Sequence, residues 1–508
     1  FVTKCYKNID FFRIYDDTIC MDFNKSIIRF LSVSINNINN VENGTIHVND
    51  FSKKDSWTKY SPDHSDVIGL YGQNGSGKST VVEALALLKM CVLGDKFLIT
   101  KKEFDKYVQE DLITIGKDSL TVKAHFLITD NVESKIIEYA FTFGYKPNTD
   151  PTLRVKYNVI LENESFSILN TDLSATDLYV KYSAAGKQIV EPVDLYKKVI
   201  ATDDQLVVTF QLCKVLSQKE CSTYLFNSEL INIKGLSDVS ELFDYMKSFR
   251  KYINSNFCII TKDFTDLTSA KNLIPLAVQN EKFEPNAFIR FVGISLSGSQ
   301  FIEQSRKPVF TALIEELNTV INSIIPDMQL KMVTLSTELS SNNQKGDVVE
   351  VVSVRNGKEI PLRYESDGIK KLLCILNLLV LMHNNQNMFV VIDELDASIF
   401  EYLLGEILTM LTESGKGQLF FTSHNLYPLE LLDKESIFFT TTNSQNRYIK
   451  FKYIKPNHNL RDQYLKTIRL GGQDEPVYQE SDTANMRLSF YSAGRKFENF
   501  LKTIQEKN

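Results

Sequence analysis

The residues Gly72-Gln73-Asn74-Gly75-Ser76-Gly77-Lys78-Ser79 match the pattern G-x-x-x-x-G-K-[ST] in full. The chemistry of that spacing is anion binding. Glycines let the backbone wrap a phosphate group, and successive N–H groups turn toward it. Gly72, Asn74, Gly75, Ser76 and Gly77 are the expected lining of this cradle, with Thr80 just beyond it. A helix opening at this point adds the positive end of its dipole. Lys78 would reach the outer phosphates, and the Ser79 hydroxyl would hold Mg²⁺. The motif means little without its context, a strand before it and a helix after it. Val67-Ile68-Gly69-Leu70-Tyr71 reads as a short buried strand, and Ser79 to Leu93 has helical period.

Three more groups complete a phosphate-cleaving set. Met388-Phe389-Val390-Val391-Ile392 is an apolar strand that ends in Asp393-Glu394. Alone this is no more than an acidic turn. Beside a phosphate cradle, Asp393 is placed to hold Mg²⁺ and Glu394 to polarise the attacking water as a general base. Gln418 to Thr422 is a second apolar strand, and it runs into Ser423-His424-Asn425. A histidine at that strand end can contact a γ-phosphate or orient the water, so the expected catalytic residues are Glu394, His424 and Lys78. Glu365-Ser366-Asp367-Gly368 opens a long apolar helix, with Ser366 as a good N-cap. That helix start would also serve a phosphate, and one held by another subunit, because the chain's own nucleotide already has its cradle.

The elements around these groups suggest how they are positioned. Residues 27–48 read as two strands with a turn at Glu42-Asn43-Gly44, and Asn49 to Asp66, with Trp57, as a surface loop. Residues 118–170 are β-rich and partly alternating, as in an antiparallel meander. Residues 181–307 are mixed and mostly helical, as at Ser240 to Phe249. Pro308 to Ile325 is a predicted helix, Val349 to Leu362 a hairpin turning at Asn356-Gly357, Gly368 to His383 a helix, and Phe400 to Leu411 another. Strand–helix alternation with fully apolar strands predicts a parallel, doubly wound sheet. The expected domains are an N-terminal lobe (1–180), a mainly helical insertion (181–307), a C-terminal lobe (308–480) and a tail (481–508).

Composition excludes other classes. The 508 residues are 43% hydrophobic and 24% charged, which is ordinary for a globular chain. With 57 basic and 63 acidic residues the net charge is −6, so a charge-driven nucleic-acid coat is not signalled. DNA stays open as a partner through a local basic groove. The lysine pairs Lys53-Lys54, Lys101-Lys102, Lys197-Lys198 and Lys370-Lys371 read as solvated surface. The seven cysteines (Cys5, Cys20, Cys91, Cys213, Cys221, Cys258, Cys374) form no Cys-x-x-Cys pair and fit a reducing cytosol, so a cytoplasmic location is expected. No secretory signal is visible. The chain starts at Phe1 rather than Met, so its natural start is expected to lie upstream. The apolar run Leu372 to Met382 is too short to cross a bilayer, and no membrane partner is expected.

Taken in order, these motifs resemble an ABC-type ATPase head of the SMC-like kind. Gly72 to Ser79 is then Walker A, Val390 to Glu394 Walker B, Ser366-Asp367-Gly368 the signature loop, Asp396 the D-loop residue and His424 the H-loop residue. Asp367 departs from the transporter signature, which has glycine there; Ser-Asp-Gly is similar to the bacterial AAA-type ATPases that resemble SMC heads. Gln211 is the candidate Q-loop glutamine. The segments Tyr71 to Lys78, Ile392 to Leu408, Thr422 to Leu426 and Asn459 to Gln473 are similar to stand-alone ATPases of anti-phage defence, first the ATPase subunit of PARIS systems and next that of Septu. The resemblance implies a P-loop NTPase of ABC/SMC-head type, with a parallel core sheet plus an antiparallel β subdomain. It implies ATP and Mg²⁺ as cofactors, with ATP contacted by Gly72, Asn74 to Thr80, Ser366, Gly368 and Asp396. It implies composite active sites in a homodimer at least, with Ser366 acting in trans. It also implies abortive infection through a separately encoded effector, a nuclease, with a phage protein as trigger.

Two features set apart other members of the superfamily. Only 84 residues follow His424, too few for a Toprim nuclease domain plus the last ATPase elements. Pro326-Asp327 is not followed by Glu-x-Lys, since Glu338 precedes Leu339-Ser340. An SMC-like DNA-repair or DNA-binding ATPase is the alternative reading; it would want coiled-coil arms, and no long heptad array is present. A transporter subunit would have a shorter gap between Lys78 and Asp393.

Overall fold

The structure, a computed structural model, describes residues 26–48, 64–94, 112–130, 133–147, 157–186, 190–201, 206–220, 223–233, 240–261, 273–278, 290–295, 298–340, 343–452 and 459–505. Most of the predicted loop from Asn49 to Asp66, including Trp57, lies outside them, as do Cys5, Cys20 and Cys221.

At the centre is a six-stranded sheet. The strand Asp66–Tyr71 lies between Gln418–Thr422 and Ile437–Thr440, parallel to both. Gln418–Thr422 pairs in turn with Phe389–Ile392, and that strand with Phe257–Ile260, again in parallel. A two-residue strand, Tyr448–Ile449, closes the other edge antiparallel. The inner strands are buried on both faces, which is why they read as unbroken apolar runs. The parallel sheet was therefore legible, but its edge strand Phe257–Ile260 was not: it lies in the stretch read as mostly helical, four residues long, directly behind the helix Leu242–Ser255.

A seven-stranded antiparallel sheet packs beside this core, beginning with Val41–His47 and Ile27–Ile38, continuing through the meander Ser119–Thr129, Ser134–Pro147, Tyr157–Leu169 and Ala175–Ser183, and ending at the two-residue strand Val190–Glu191. The first turn falls at Asn39-Asn40, and not at Glu42-Asn43-Gly44 as the sequence suggested. Asn37 and Asn39 take the left-handed backbone (φ 57° and 49°), which asparagine tolerates. Gly44 sits inside the strand because a Cβ there would lie 2.4 Å from the Tyr448 ring.

A buried polar node ties the two sheets. Arg29 is fully buried; it pairs with Asp66 at 2.7 Å and donates to the carbonyls of His64, Gln386 and Lys416. Gln418 bonds Asp66 at 2.8 Å and exchanges both backbone bonds with Phe30. Every partner is satisfied, as a buried charge requires.

The helical segments between residues 193 and 255 cover the antiparallel sheet. Glu164, 1% exposed, anchors them by accepting from Tyr139 Oη (2.7 Å), Tyr224 N (2.7 Å), Leu225 N (2.9 Å) and the Thr223 hydroxyl. A smaller lobe joins Lys307–Ile324 to a sheet of Gln300–Glu303, Lys345–Arg355, Met328–Leu339 and Lys358–Pro361. The hairpin turns at Asn356-Gly357 as expected. The strand Met328–Leu339 was not anticipated, because it is largely solvent-facing and carries no clean alternation. The tail is a 23-residue helix, Thr483–Gln505.

Candidate active site

The P-loop leaves the strand Asp66–Tyr71 and enters the helix Lys78–Leu93. Gly75 (φ 72°) and Gly77 (φ 89°) take the left-handed conformation that the wrap needs. Close packing fixes the loop from behind. A Cβ at Gly72 would lie 1.7 Å from Thr440 Oγ1, and one at Gly77 would lie 2.7 Å from Val41 Cγ2. Thr440 donates to Ser76 Oγ (2.7 Å), Tyr448 Oη donates to Gly77 O (2.7 Å), and Asn40 bonds Gly75 O. The outer edge stays open: Asn74 and Gly75 are exposed, and nothing lies within 4 Å of a Cβ at Gly75. Thr80 is buried.

Lys78 folds back over its own loop and donates to Gly72 O and Gln73 O, both at 2.9 Å. Burial pushes its pKa down to about 8, against the pull of Asp393, Glu394 and Asp396, whose charges raise it. Lys78 therefore shares one electrostatic site with all three carboxylates.

Asp393 is 3% exposed and accepts from Thr422 Oγ1 at 2.5 Å. The same hydroxyl accepts from Glu394 N at 2.8 Å. Glu394 has left-handed backbone (φ 50°), unusual for a residue with a side chain. Its carbonyl accepts from Lys371 Nζ. Asp396 caps the turn after Thr422: its Oδ2 accepts from His424 N (3.0 Å) and Asn425 N (2.9 Å). Asp396 thus holds the turn that carries His424. The His424 ring is partly open to solvent. Partial burial, then the positive charge of Lys78, lowers its pKa, while the three carboxylates raise it. The neutral imidazole is favoured.

Ser366 stands at the start of another element. It is exposed and caps the helix Asp367–Asn384, accepting from Ile369 N at 3.4 Å. Gly368 packs on the D-loop, where a Cβ would sit 2.3 Å from Ser398 O. Gln211 is exposed on the helix Leu206–Glu220, which packs on the strand Tyr157–Leu169 and not on the core-sheet strand ends that carry the site. A Q-loop role for Gln211 is thereby corrected: nothing in the sequence of its helix signals how far from the site the fold places it.

Several positioning residues were not singled out from the sequence. Thr422 was read only as part of the strand end before His424. Thr440, Tyr448 and Asn40 have no local motif, since each reaches the site from a remote segment, and Lys371, just after Ser366-Asp367-Gly368, read only as half of a solvated lysine pair.

ATP and Mg²⁺ fit these residues. The loop is a cradle closed from behind and open in front. Ser79 and Asp393 would hold the metal; Mg²⁺ typically takes one or two protein oxygens and completes its shell with phosphates and water. Among the described residues there is no group of three or more His, Cys, Asp or Glu side chains that could hold a metal by themselves. No helix among them is long and apolar enough to cross a membrane.

Solved structures similar to the chain include an SMC head bound to the C-terminal winged-helix domain of ScpA (13% identity, 83% of this chain and 98% of that one, TM-score 0.42). The SMC head domain from Thermotoga maritima is similar over 84% of this chain and 100% of that one (13% identity, TM-score 0.35). The recombination mediator RecF with ATP is similar over 78% and 92% (12% identity, TM-score 0.31). No curated protein matches the sequence. The parallel core sheet with its P-loop and the adjoining antiparallel sheet make this a P-loop ATPase fold. A family model described as AAA ATPase domain (AAA_15) matches residues 32–428, most of the chain, and the protein belongs to that family.

Proposed function

We propose that this ATPase is the sensor and scaffold subunit of an anti-phage defence system, and that it controls a separately encoded toxic effector, a nuclease, through ATP-dependent oligomerisation. The observation that carries the ATP-hydrolysing part is that Lys78, Asp393, Glu394 and His424 all follow the ends of three adjacent parallel strands, beside one open phosphate cradle. Lys78 exchanges its two carbonyl partners for phosphate oxygens. Asp393 and Ser79 would hold Mg²⁺, which would supply charge neutralisation of the phosphates. Glu394 polarises the water, and the neutral His424 ring bonds the γ-phosphate. Composite sites are supported by Ser366 and Asp367, both exposed at the start of the helix Asp367–Asn384. A second subunit would receive them, with a homodimer as the minimum. The defence role rests on the resemblance of the Walker A, Walker B and H-loop segments and the Asn459 to Gln473 stretch to defence ATPases. A partner-docking role is further supported by the helix Thr483–Gln505, on which Phe490 and Phe497 are 78% and 62% exposed.

The test is a pull-down of the tagged Glu394→Gln chain, with ATP, from cells carrying its native neighbouring genes. A nuclease-like protein at fixed stoichiometry is the expected result. A preparation holding only this chain and nucleic acid overturns the effector reading in favour of a DNA-binding ATPase.

A further inference from the structure

The left-handed backbone of Glu394 must be held in place, and two elements hold it. Thr422 takes its N–H from the neighbouring strand. Lys371 bonds its carbonyl from a different direction, out of the helix Asp367–Asn384, which begins at Ser366. Ala397 N also bonds this carbonyl at 3.1 Å, so the Lys371 ammonium completes a tight turn and does not merely touch a surface. Lys371 is half-buried, and the charges of Asp393, Glu394 and Asp396 all act on it. One turn earlier on the same helix, Gly368 is pressed on Ser398 O. The signature helix therefore meets the segment Glu394 to Ser398 at two points, one by a packed backbone and one by a cation.

We propose that Lys371 is a positioning residue that couples the signature helix to the hydrolytic carboxylate of its own subunit. The inference rests on the composite-site reading given above. In that reading Ser366 touches the nucleotide of the partner subunit. A shift of the helix on nucleotide contact moves Lys371, and Lys371 carries the Glu394 backbone with it. The two sites of a dimer are then linked: occupancy of one sets the geometry of the general base that serves the other. Coupling can be carried by hydrogen-bonded and packed contacts between elements, and the Lys371 ammonium is such a contact. Lys371 touches neither phosphate nor metal in this role, and it leaves the P-loop untouched.

The experiment measures turnover against ATP concentration for wild type, Lys371→Gln and Lys371→Arg, with binding of a fluorescent ATP analogue measured separately. The wild type is expected to show a sigmoidal curve. Lys371→Gln is expected to bind the analogue within about twofold of wild type, to lose roughly tenfold or more in kcat, and to give a hyperbolic curve, since one to three kcal/mol of site coupling is typical. Lys371→Arg retains a long cationic donor and should restore part of both kcat and curvature. A Gln variant with reduced kcat but unchanged sigmoidicity makes Lys371 a merely structural residue and overturns the coupling. A hyperbolic wild-type curve overturns it as well. A wild type that fails to turn over ATP or to dimerise instead sinks the composite-ATPase reading itself. Should the Gln variant fold poorly, the Arg variant decides: a reduced kcat with reduced curvature supports the coupling, and a reduced kcat with full wild-type curvature overturns it.

Discussion

Thr422→Val is the sharpest test of how the Walker B end is built. The Thr422 side chain is fully buried, and its hydroxyl donates to Asp393 and accepts from Glu394 N. Valine keeps the shape and deletes both bonds. A hydrogen bond to a charged group contributes about 1.5–3 kcal/mol, and a stranded buried donor costs about 1–3 kcal/mol. The two terms together predict a loss of about 2.5–6 kcal/mol. That loss should lower the urea midpoint without changing the slope. Catalysis should suffer separately. With its N–H anchor gone, Glu394 is free to leave the left-handed backbone, and kcat should fall at least tenfold, the rate equivalent of about 1.4 kcal/mol. The P-loop is untouched, so nucleotide affinity should change little. Thr422→Ser keeps the hydroxyl and should recover most of both losses. A Val variant within about 1 kcal/mol of wild type, with unchanged kcat, would falsify the argument that this hydroxyl holds the pair.

Other predictions follow from the packing. Gly72→Ala places a methyl 1.7 Å from Thr440 Oγ1 and should abolish ATP-analogue binding; retained binding would mean that the loop moves away from Thr440 at little cost. Glu164→Gln leaves one carboxamide oxygen for four donors, so at least two lose an acceptor, and a destabilisation of about 2–5 kcal/mol is expected in urea melts; a change below about 1 kcal/mol contradicts the anchoring role. Glu138 is held down at about 2, first by its bond to His125 and then by Lys123. Its folded pKa lies below the ordinary 4.5, so its contribution is complete above about 4.5 and fades as pH falls toward 2. Glu138→Gln should therefore lower stability at pH 7 and flatten the acid limb of a stability–pH curve; parallel curves for the two proteins count against the pair.

Much of the site was legible because each chemical group sits at the end of an apolar strand. Walker A, Asp393-Glu394 and His424 all follow such strands, and parallel strands end on the same side of the sheet. Residues that act through space gave no such signal. Lys371 is one of two adjacent lysines and read as solvated surface, yet one of the pair reaches the Glu394 carbonyl. Thr440 and Tyr448 lie in a hydrophobic strand and a two-residue strand, and only the tertiary fold presses them on the P-loop. The misplaced first turn has a local cause. Asn-Gly is a strong turn signal, but Asn39 and Asn40 turn the chain first, and Gly44 is needed for the Tyr448 ring.

The neighbours of the P-loop strand also bear on how the protein is made. Asp66 and its partner Gln418 are 352 residues apart in sequence. On the ribosome, at about 5–20 residues per second, the Walker A segment is exposed for roughly 20–70 s before its flanking strand has been synthesised. Until then it has neither its sheet neighbours nor the Thr440 hydroxyl behind it. A nascent or truncated chain therefore has no phosphate cradle, and nucleotide binding arrives late, only once nearly all of the catalytic set has left the ribosome.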